Sequence, residues 1–254
     1  MAEAGMADGR TEELAGRVAI VTGGGRGIGR AAAERLAAAG AAIVLTGRTA
    51  GEGEDAAASI ARAGGRALYL PHDVAVAADW AAVVDRTMAE HGRIDILIAN
   101  AGAGAWQPLE DGSLADLRWQ LDVNLRAGFL GLKHVAPVMK RAGGGSIVLL
   151  SSTIGKVGGA GFTAYSAAKG GLRVMAKAAA LEFGADKVRV NALLPGLTHT
   201  AMTAGVDPVW LERIPLRRGA EPREMADALL FLASDRSRFM TGAELIVDGG
   251  MTAQ

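Results

Sequence analysis

Within the stretch SSTIGKVGGAGFTAYSAAK, residues 151–169, two side chains are spaced for proton transfer. Tyr165 and Lys169 lie four positions apart at the start of an alanine-rich run. On a helix such positions stand one above the other on the same face. A free phenol titrates near ~10. An adjacent ammonium favours the phenolate and brings the group toward the range where it can act as general acid and base. Ser152 stands upstream, beyond a glycine-rich turn, with a hydroxyl able to hydrogen-bond a substrate oxygen that gains charge. The same pair also fits an ordinary helix with a surface lysine and a core tyrosine, so other stretches must decide between the two.

A second group of residues is suited to phosphate. Thr22-Gly23-Gly24-Gly25-Arg26-Gly27-Ile28-Gly29 joins an apolar run to an alanine-rich one. Glycines there permit a tight turn and close approach of a pyrophosphate, and the helix that follows offers N–H groups and the positive end of its dipole. Gly27-x-Gly29-x-x-Ala32 fits the dinucleotide fingerprint, with Gly23 and Gly25 ahead of it, in the strand–turn–helix context that such a motif needs. About twenty residues further on, NAD sites carry an acid for the ribose 2′-hydroxyl. Here that place is Gly47, followed by Arg48, and the next acid is Glu52. Arg48 and Arg26 can each make charge-assisted bonds to a 2′-phosphate, although either also fits a solvated surface. NADP(H) is the cofactor expected.

The elements that must position these residues alternate in kind. Apolar, β-rich runs at 17–22, 41–46, 66–70, 93–100, 146–151, 188–194 and 244–250 read as strands. Helical patterns occupy 27–39, 52–63, 76–90, 113–141, 162–183 and 221–232, and 197–216 is irregular with some helix. Continuous apolar strands separated by helices predict a parallel sheet covered on both faces. No proline-rich linker or repeat divides the chain. The expectation is a single doubly wound α/β domain over 14–254, behind a loose tail at 1–13.

Taken in order, Thr22-Gly-Gly-Gly-Arg-Gly-Ile-Gly29, Asp73-Val74, Asn100-Ala101-Gly102, Asn124, Ser152, Tyr165-x-x-x-Lys169, Asn191, Pro195-Gly196 and Asp248-Gly249-Gly250 resemble the short-chain dehydrogenase/reductase family over nearly the whole chain. The resemblance implies a Rossmann-type seven-stranded sheet ordered 3-2-1-4-5-6-7, with a nicotinamide cofactor across the strand carboxyl ends. It implies that Ser152 polarises a substrate carbonyl, that Tyr165 donates or accepts the proton, and that Lys169 holds the nicotinamide ribose and lowers the Tyr165 pKa. By the same likeness, the backbone carbonyl of Asn124 holds a water in a proton relay. Asp73 and Val74 would meet the adenine, Ile28 belongs to the phosphate turn, and Asn100-Ala101-Gly102 lines the cleft. Pro195 and Gly196 would face the nicotinamide amide, with Thr198 and Thr200 as candidate hydroxyls. The activity implied is NADPH-dependent reduction of a ketone to a secondary alcohol, in a cytoplasmic homotetramer. Two alternatives stand beside it. One is a 3-oxoacyl-[acyl-carrier-protein] reductase, for which Lys140, Arg141 and Arg173 are the candidate carrier contacts. The other is an NADP-binding sensor without catalysis.

Trp106, Phe162, Met202 and Trp210 fall where a substrate wall is expected, and point to a hydrophobic or alicyclic ketone if they are not simply core. His199 lies in the same segment as a further possible contact. Lys plus Arg and Asp plus Glu balance at 27 each, so no overall field suggests nucleic acid or an anionic membrane. The four histidines lack metal-ligand spacing, and the absence of cysteine removes disulfide and thiolate chemistry. No apolar stretch approaches a membrane span or a secretory signal.

Overall fold

A computed structural model describes residues 13–207 and 209–253. Seven parallel strands form one sheet in the order β3-β2-β1-β4-β5-β6-β7. They are β1 (Val18–Thr22), β2 (Ala42–Gly47), β3 (Arg66–Pro71), β4 (Ile96–Ala99), β5 (Gly145–Leu150), β6 (Val188–Pro195) and β7 (Glu244–Val247). The central strands are buried on both faces and therefore read as unbroken apolar runs, whereas the edge strands β3 and β7 are only half-buried. Register follows the pattern, with Ile20 beside Val44 on one side and Leu97 on the other.

Helices α1 (Gly27–Ala38), α2 (Ala50–Arg62), α3 (Ala77–His91), α4 (Leu114–Gln120), α5 (Ala127–Arg141), α6 (Ile154–Val157), α7 (Thr163–Phe183), α8 (Val209–Glu212) and α9 (Pro222–Ala233) connect the strands. Trp80, Val135, Met139 and Leu172 of α3, α5 and α7 build the core on one face. Leu36, Ala56, Ile60 and Leu229 of α1, α2 and α9 build it on the other. Glu13 is the one described residue of the expected tail, and the rest of that tail lies outside the described residues. Leu14 is already buried, its N–H donating to Ala39 O.

Three expected elements differ in detail. The strand expected at 93–100 starts only at Ile96, because Asp95 is drawn into a clasp at the amino end of the sheet. Its carboxylate accepts from Val18 N–H (2.9 Å) and from the guanidinium groups of Arg93 (2.6 and 2.8 Å) and Arg17 (3.2 Å). Burial alone would raise the Asp95 pKa, but these donors overturn that and hold it low. The helix expected at 113–141 is interrupted by a wide π turn, Leu121–Arg126. The last strand stops at Val247, since Asp248 folds back to accept from Gly250 N–H and Thr252 N–H. Among the described residues no helix is long and apolar enough to cross a membrane.

Candidate active site

The turn after β1 is shaped by close backbone approach. A Cβ on Gly29 would sit 2.2 Å from Gly23 O, and Gly23 itself has φ +64°, a conformation that other residues rarely adopt. Asn100 at the end of β4 donates to Thr22 O (2.8 Å) and Gly23 O (3.3 Å), while Ala101 N–H donates to Thr22 Oγ1 (3.0 Å). The ends of β1 and β4 are thereby locked together. Helix α1 then begins with no side-chain cap and no acid in its first turn, leaving its first N–H groups turned to the cleft. That is an anion cradle, and it fits a pyrophosphate.

A cleft of about 590 Å³ opens over the carboxyl ends of the strands. It gathers Gly23, Gly25, Arg26, Gly27, Ile28, Arg48, Asp73, Val74, Asn100, Ala101, Gly102, Tyr165, Lys169, Pro195, Gly196, Thr198 and Thr200. Of the catalytic and coenzyme candidates named from sequence, Gly29, Asn124 and Ser152 are adjacent to this lining rather than part of it. Asp73 serves its own turn as well, its Oδ1 accepting from Ala75 N–H (2.9 Å). A slightly larger cavity, about 620 Å³, lies at the amino end of the sheet around Arg17, Asp95 and Arg189, and holds none of the site residues.

At one end of the cleft lie Tyr165 and Lys169. Helix α7 carries Tyr165 and Lys169 one turn apart, as the spacing predicts. Lys169 is wholly buried, its Nζ donates to Leu150 O (2.7 Å), and it lies 5.7 Å from the centre of the Tyr165 ring. Burial lowers its pKa to about 8. The expectation that Lys169 lowers the Tyr165 pKa is not met by a direct bond. Burial raises the phenol, and the influence acting against it is the Ser152 side chain. Ser152 Oγ also accepts from Ile154 N–H (3.2 Å), which fixes the start of α6.

Asn124 lies in the π turn and is buried. Its Oδ1 accepts from Ala103 N–H (3.2 Å) and its Nδ2 donates to Ala103 O (2.7 Å). Gln120, one turn earlier and also buried, has amide atoms 2.9 Å from Asn124 Nδ2 and 3.0 Å from both Ala103 O and Ala105 N. Together they pin residues 103–105. Gly102 closes the group: a Cβ there would lie 2.7 Å from Asn124 Oδ1 and 3.1 Å from Lys169 Nζ.

The substrate wall follows. Gly104 faces the Tyr165 ring, and Phe162 meets that ring edge-on at 6.2 Å. Trp106 is 66% exposed, lying over Gly161 in the space that a side chain there would fill, so it is not core. Met202 is exposed too and lines the cleft. Trp210 instead stacks under the Arg213 guanidinium (4.8 Å). His199 packs its ring on Gly219.

At the other end, Arg48 is exposed with no acidic partner among the described residues, whereas Arg26 is paired with Glu52 (3.4 Å). A Cβ on Gly47 would meet nothing within 4 Å. The three candidate carrier contacts named from sequence do not gather at the mouth of the cleft. Lys140 and Arg141 end α5 at the amino end of the sheet, Lys140 pairing with Asp186 (2.8 Å), and Arg173 is tied to Glu244 and Gly155 O. Tyr69 and Gln120 were not singled out from sequence, and His72 was weighed there only as a metal ligand. His72, just before Asp73, is pushed down to about 4 by burial, against the pull of Asp79 and Asp73, and shares a hydrogen bond with Thr46 Oγ1 (2.9 Å). Its position next to Asp73 was the one available signal.

A family model described as enoyl-(acyl carrier protein) reductase matches residues 23–252. The cis-4-hydroxycyclohexanecarboxylate dehydrogenase of Sinomonas cyclohexanicum is 43% identical over 247 residues, spanning 95% of this chain and 99% of that protein. The chain belongs to the short-chain dehydrogenase/reductase family. The 3-alpha-(or 20-beta)-hydroxysteroid dehydrogenase of Mycobacterium tuberculosis is 40% identical over 240 residues, 94% of this chain and 91% of its own. The crystal structure of a short-chain type dehydrogenase/reductase from Mycobacterium marinum superposes with a TM-score of 0.93 at 31% identity, covering 96% and 98% of the two chains. Members of the short-chain dehydrogenase/reductase family bind NAD or NADP, and the uncapped start of α1 with its glycine cradle fits such a dinucleotide.

Proposed function

We propose that this chain interconverts a ketone and a secondary alcohol with NADP(H). The observation that carries the reading is the meeting of Ser152, Tyr165 and Lys169 at one end of a dinucleotide cleft, beside an apolar wall. When bound, the nicotinamide supplies or takes up the hydride. In reduction, the Tyr165 phenol gives its proton to the carbonyl oxygen while the Ser152 hydroxyl donates a hydrogen bond to the same atom. Lys169 holds the nicotinamide ribose, and its charge in a dry setting stabilises the phenolate left behind. Asn124 offers its backbone carbonyl to the relay that returns the proton, and its side chain positions residues 103–105.

Arg48 beside Gly47 supports a 2′-phosphate and hence NADPH. The exposed faces of Trp106 and Met202 with Phe162 support a hydrophobic ring as substrate, in keeping with relatives named for hydroxylated cyclohexane and steroid substrates. The scatter of the three candidate carrier contacts weighs against an acyl-carrier substrate. A sensor would have no use for the serine, tyrosine and lysine together. The subunits are read as a cytoplasmic homotetramer. The decisive test is nucleotide consumption with cyclic, aryl and β-keto ester ketones, by wild type and Tyr165→Phe. Turnover should fall by about 10³-fold or more in the variant, with NADPH affinity retained. A variant that keeps most of its activity would rule the mechanism out.

A further inference from the structure

We propose that Glu52 sets the strength of the NADPH preference by competing with the 2′-phosphate for Arg26. This rests on the coenzyme reading above. Two guanidinium groups line the adenosine end of the cleft, and only Arg26 has an acidic partner among the described residues. Two neighbouring acids are committed elsewhere, Glu34 and Asp55 both binding Arg30 at 2.9 and 2.8 Å, and Glu54 bears on Tyr69. Glu52 is left to Arg26.

The backbone keeps Glu52 in place. Helix α2 starts directly over the glycine turn, so that a Cβ on Gly25 would come within 3.0 Å of Glu52 Cβ and 3.1 Å of Gly53 N. On its other side the Tyr69 ring fills the space that a Gly53 side chain would need, and the Tyr69 hydroxyl donates to Gly47 O (2.8 Å). Tyr69 therefore locks the start of α2 to the end of β2, fixing Glu52 relative to Gly47 and Arg48. The carboxylate can exchange partners, but it stays in the cleft.

The chemistry is asymmetric between the two coenzymes. A 2′-phosphate brings a charge near −2 and must take Arg26 from Glu52, whose own charge then opposes it. The Arg26–Glu52 pair is exposed and weak, so the exchange occurs at modest cost. The 2′-hydroxyl of NADH is neutral and needs no such exchange. Glu52 thus penalises NADPH alone, and Arg48 has to outweigh it.

The test measures dissociation constants on the full chain for 2′,5′-ADP and 5′-AMP, which differ only in the 2′-phosphate, and for NADPH and NADH by nucleotide fluorescence. Variants are Glu52→Gln, Arg26→Gln and the two combined. Glu52→Gln should tighten 2′,5′-ADP and NADPH about fivefold, the scale of a surface ion pair, and leave 5′-AMP unchanged. In the Arg26→Gln background the gain should fall below twofold. An unchanged 2′,5′-ADP affinity in Glu52→Gln, an equal gain for 5′-AMP, or a full gain without Arg26 would each overturn the role of Glu52. Wild type binding 2′,5′-ADP no more tightly than 5′-AMP would overturn the coenzyme reading beneath it.

Discussion

Lys169 Nζ donates to the main-chain carbonyl of Leu150, and this buried cation is held near pKa 8 by desolvation. Below that pH both folded and unfolded chains carry the proton, and the folded state bears the full cost of the buried charge. Between about 8 and the ordinary 10.5 the folded chain releases the proton while the unfolded chain keeps it. The unfolded state then binds more protons, so stability rises with pH across that window. Relative to Lys169→Met, the Tm of the ligand-free wild type should therefore climb from pH 8 to 10.5, and parallel curves would count against a buried ammonium. The proposed coenzyme choice also rests on single residues. Gly47→Asp with Arg48→Ala removes an attraction of roughly 1.5–3 kcal/mol and adds a repulsion, and the open space at Gly47 admits the new side chain. The ratio of kcat/KM for NADPH over NADH should drop at least tenfold. An unchanged ratio would mean that Arg48 does not read the phosphate. That Tyr165, Lys169, Arg26 and Arg48 share one cleft was legible, because the glycine turn, the end of β2 and the i, i+4 pair each occupy a fixed place in the order of strands and helices. The Arg26–Glu52 pair was not, since it depends on where α2 comes down on a turn distant in sequence.

Among the elements, α7 does more than present Tyr165 and Lys169. One turn beyond Lys169, Arg173 takes Glu244 at the start of β7 (2.9 and 2.8 Å) and Gly155 O in α6 (2.9 Å), and Lys177 adds a second cation to Glu244 (2.6 Å). Burial would raise the Glu244 pKa, but Lys177 and Arg173 hold it low. The catalytic helix, an edge strand and the turn after Ser152 are stapled by one guanidinium. Arg173→Met should cost about 2 kcal/mol of stability and lower kcat about tenfold, because α6 no longer holds Ser152. Nucleotide affinity should stay within twofold of wild type. Equal kcat in the variant would leave Arg173 a purely structural residue. Arg173→Lys should rescue little, since an ammonium cannot fork between two acceptors. The strands and their order were readable from unbroken apolar runs and from the family likeness. The division of 113–141 was not, because a π turn has the same composition and nearly the same periodicity as the helix around it.

At the scale of the whole molecule the sheet separates two tasks. Its carboxyl end holds the cleft of the proposed chemistry, and its amino end holds the Asp95 clasp that closes β1 against β4. The helices facing outward leave Trp119, Phe129, Val174 and Leu181 exposed on α4, α5 and α7. Exposed apolar side chains on these helices fit contacts between chains, and the proposed homotetramer would cover them. Light scattering at micromolar concentration should return about four times 25.9 kDa. Phe129→Glu should shift the population to smaller species, and a monomeric wild type would contradict the assembly. Which large side chains these helices expose became visible only once the helix faces were fixed.

In the wide turn at Leu121–Arg126 the helix uses more residues per turn than an α-helix does. One residue of surplus rotates all that follows by about 100°. Val135, Ala136 and Met139 point into the core, and Phe129 points out, only at that phase. A chain one residue shorter between Gln120 and Ala127 could form a smooth helix of the same composition, yet it would swing the apolar stripe of α5 away from the sheet. This segment therefore tolerates a change of letter far better than a change of frame.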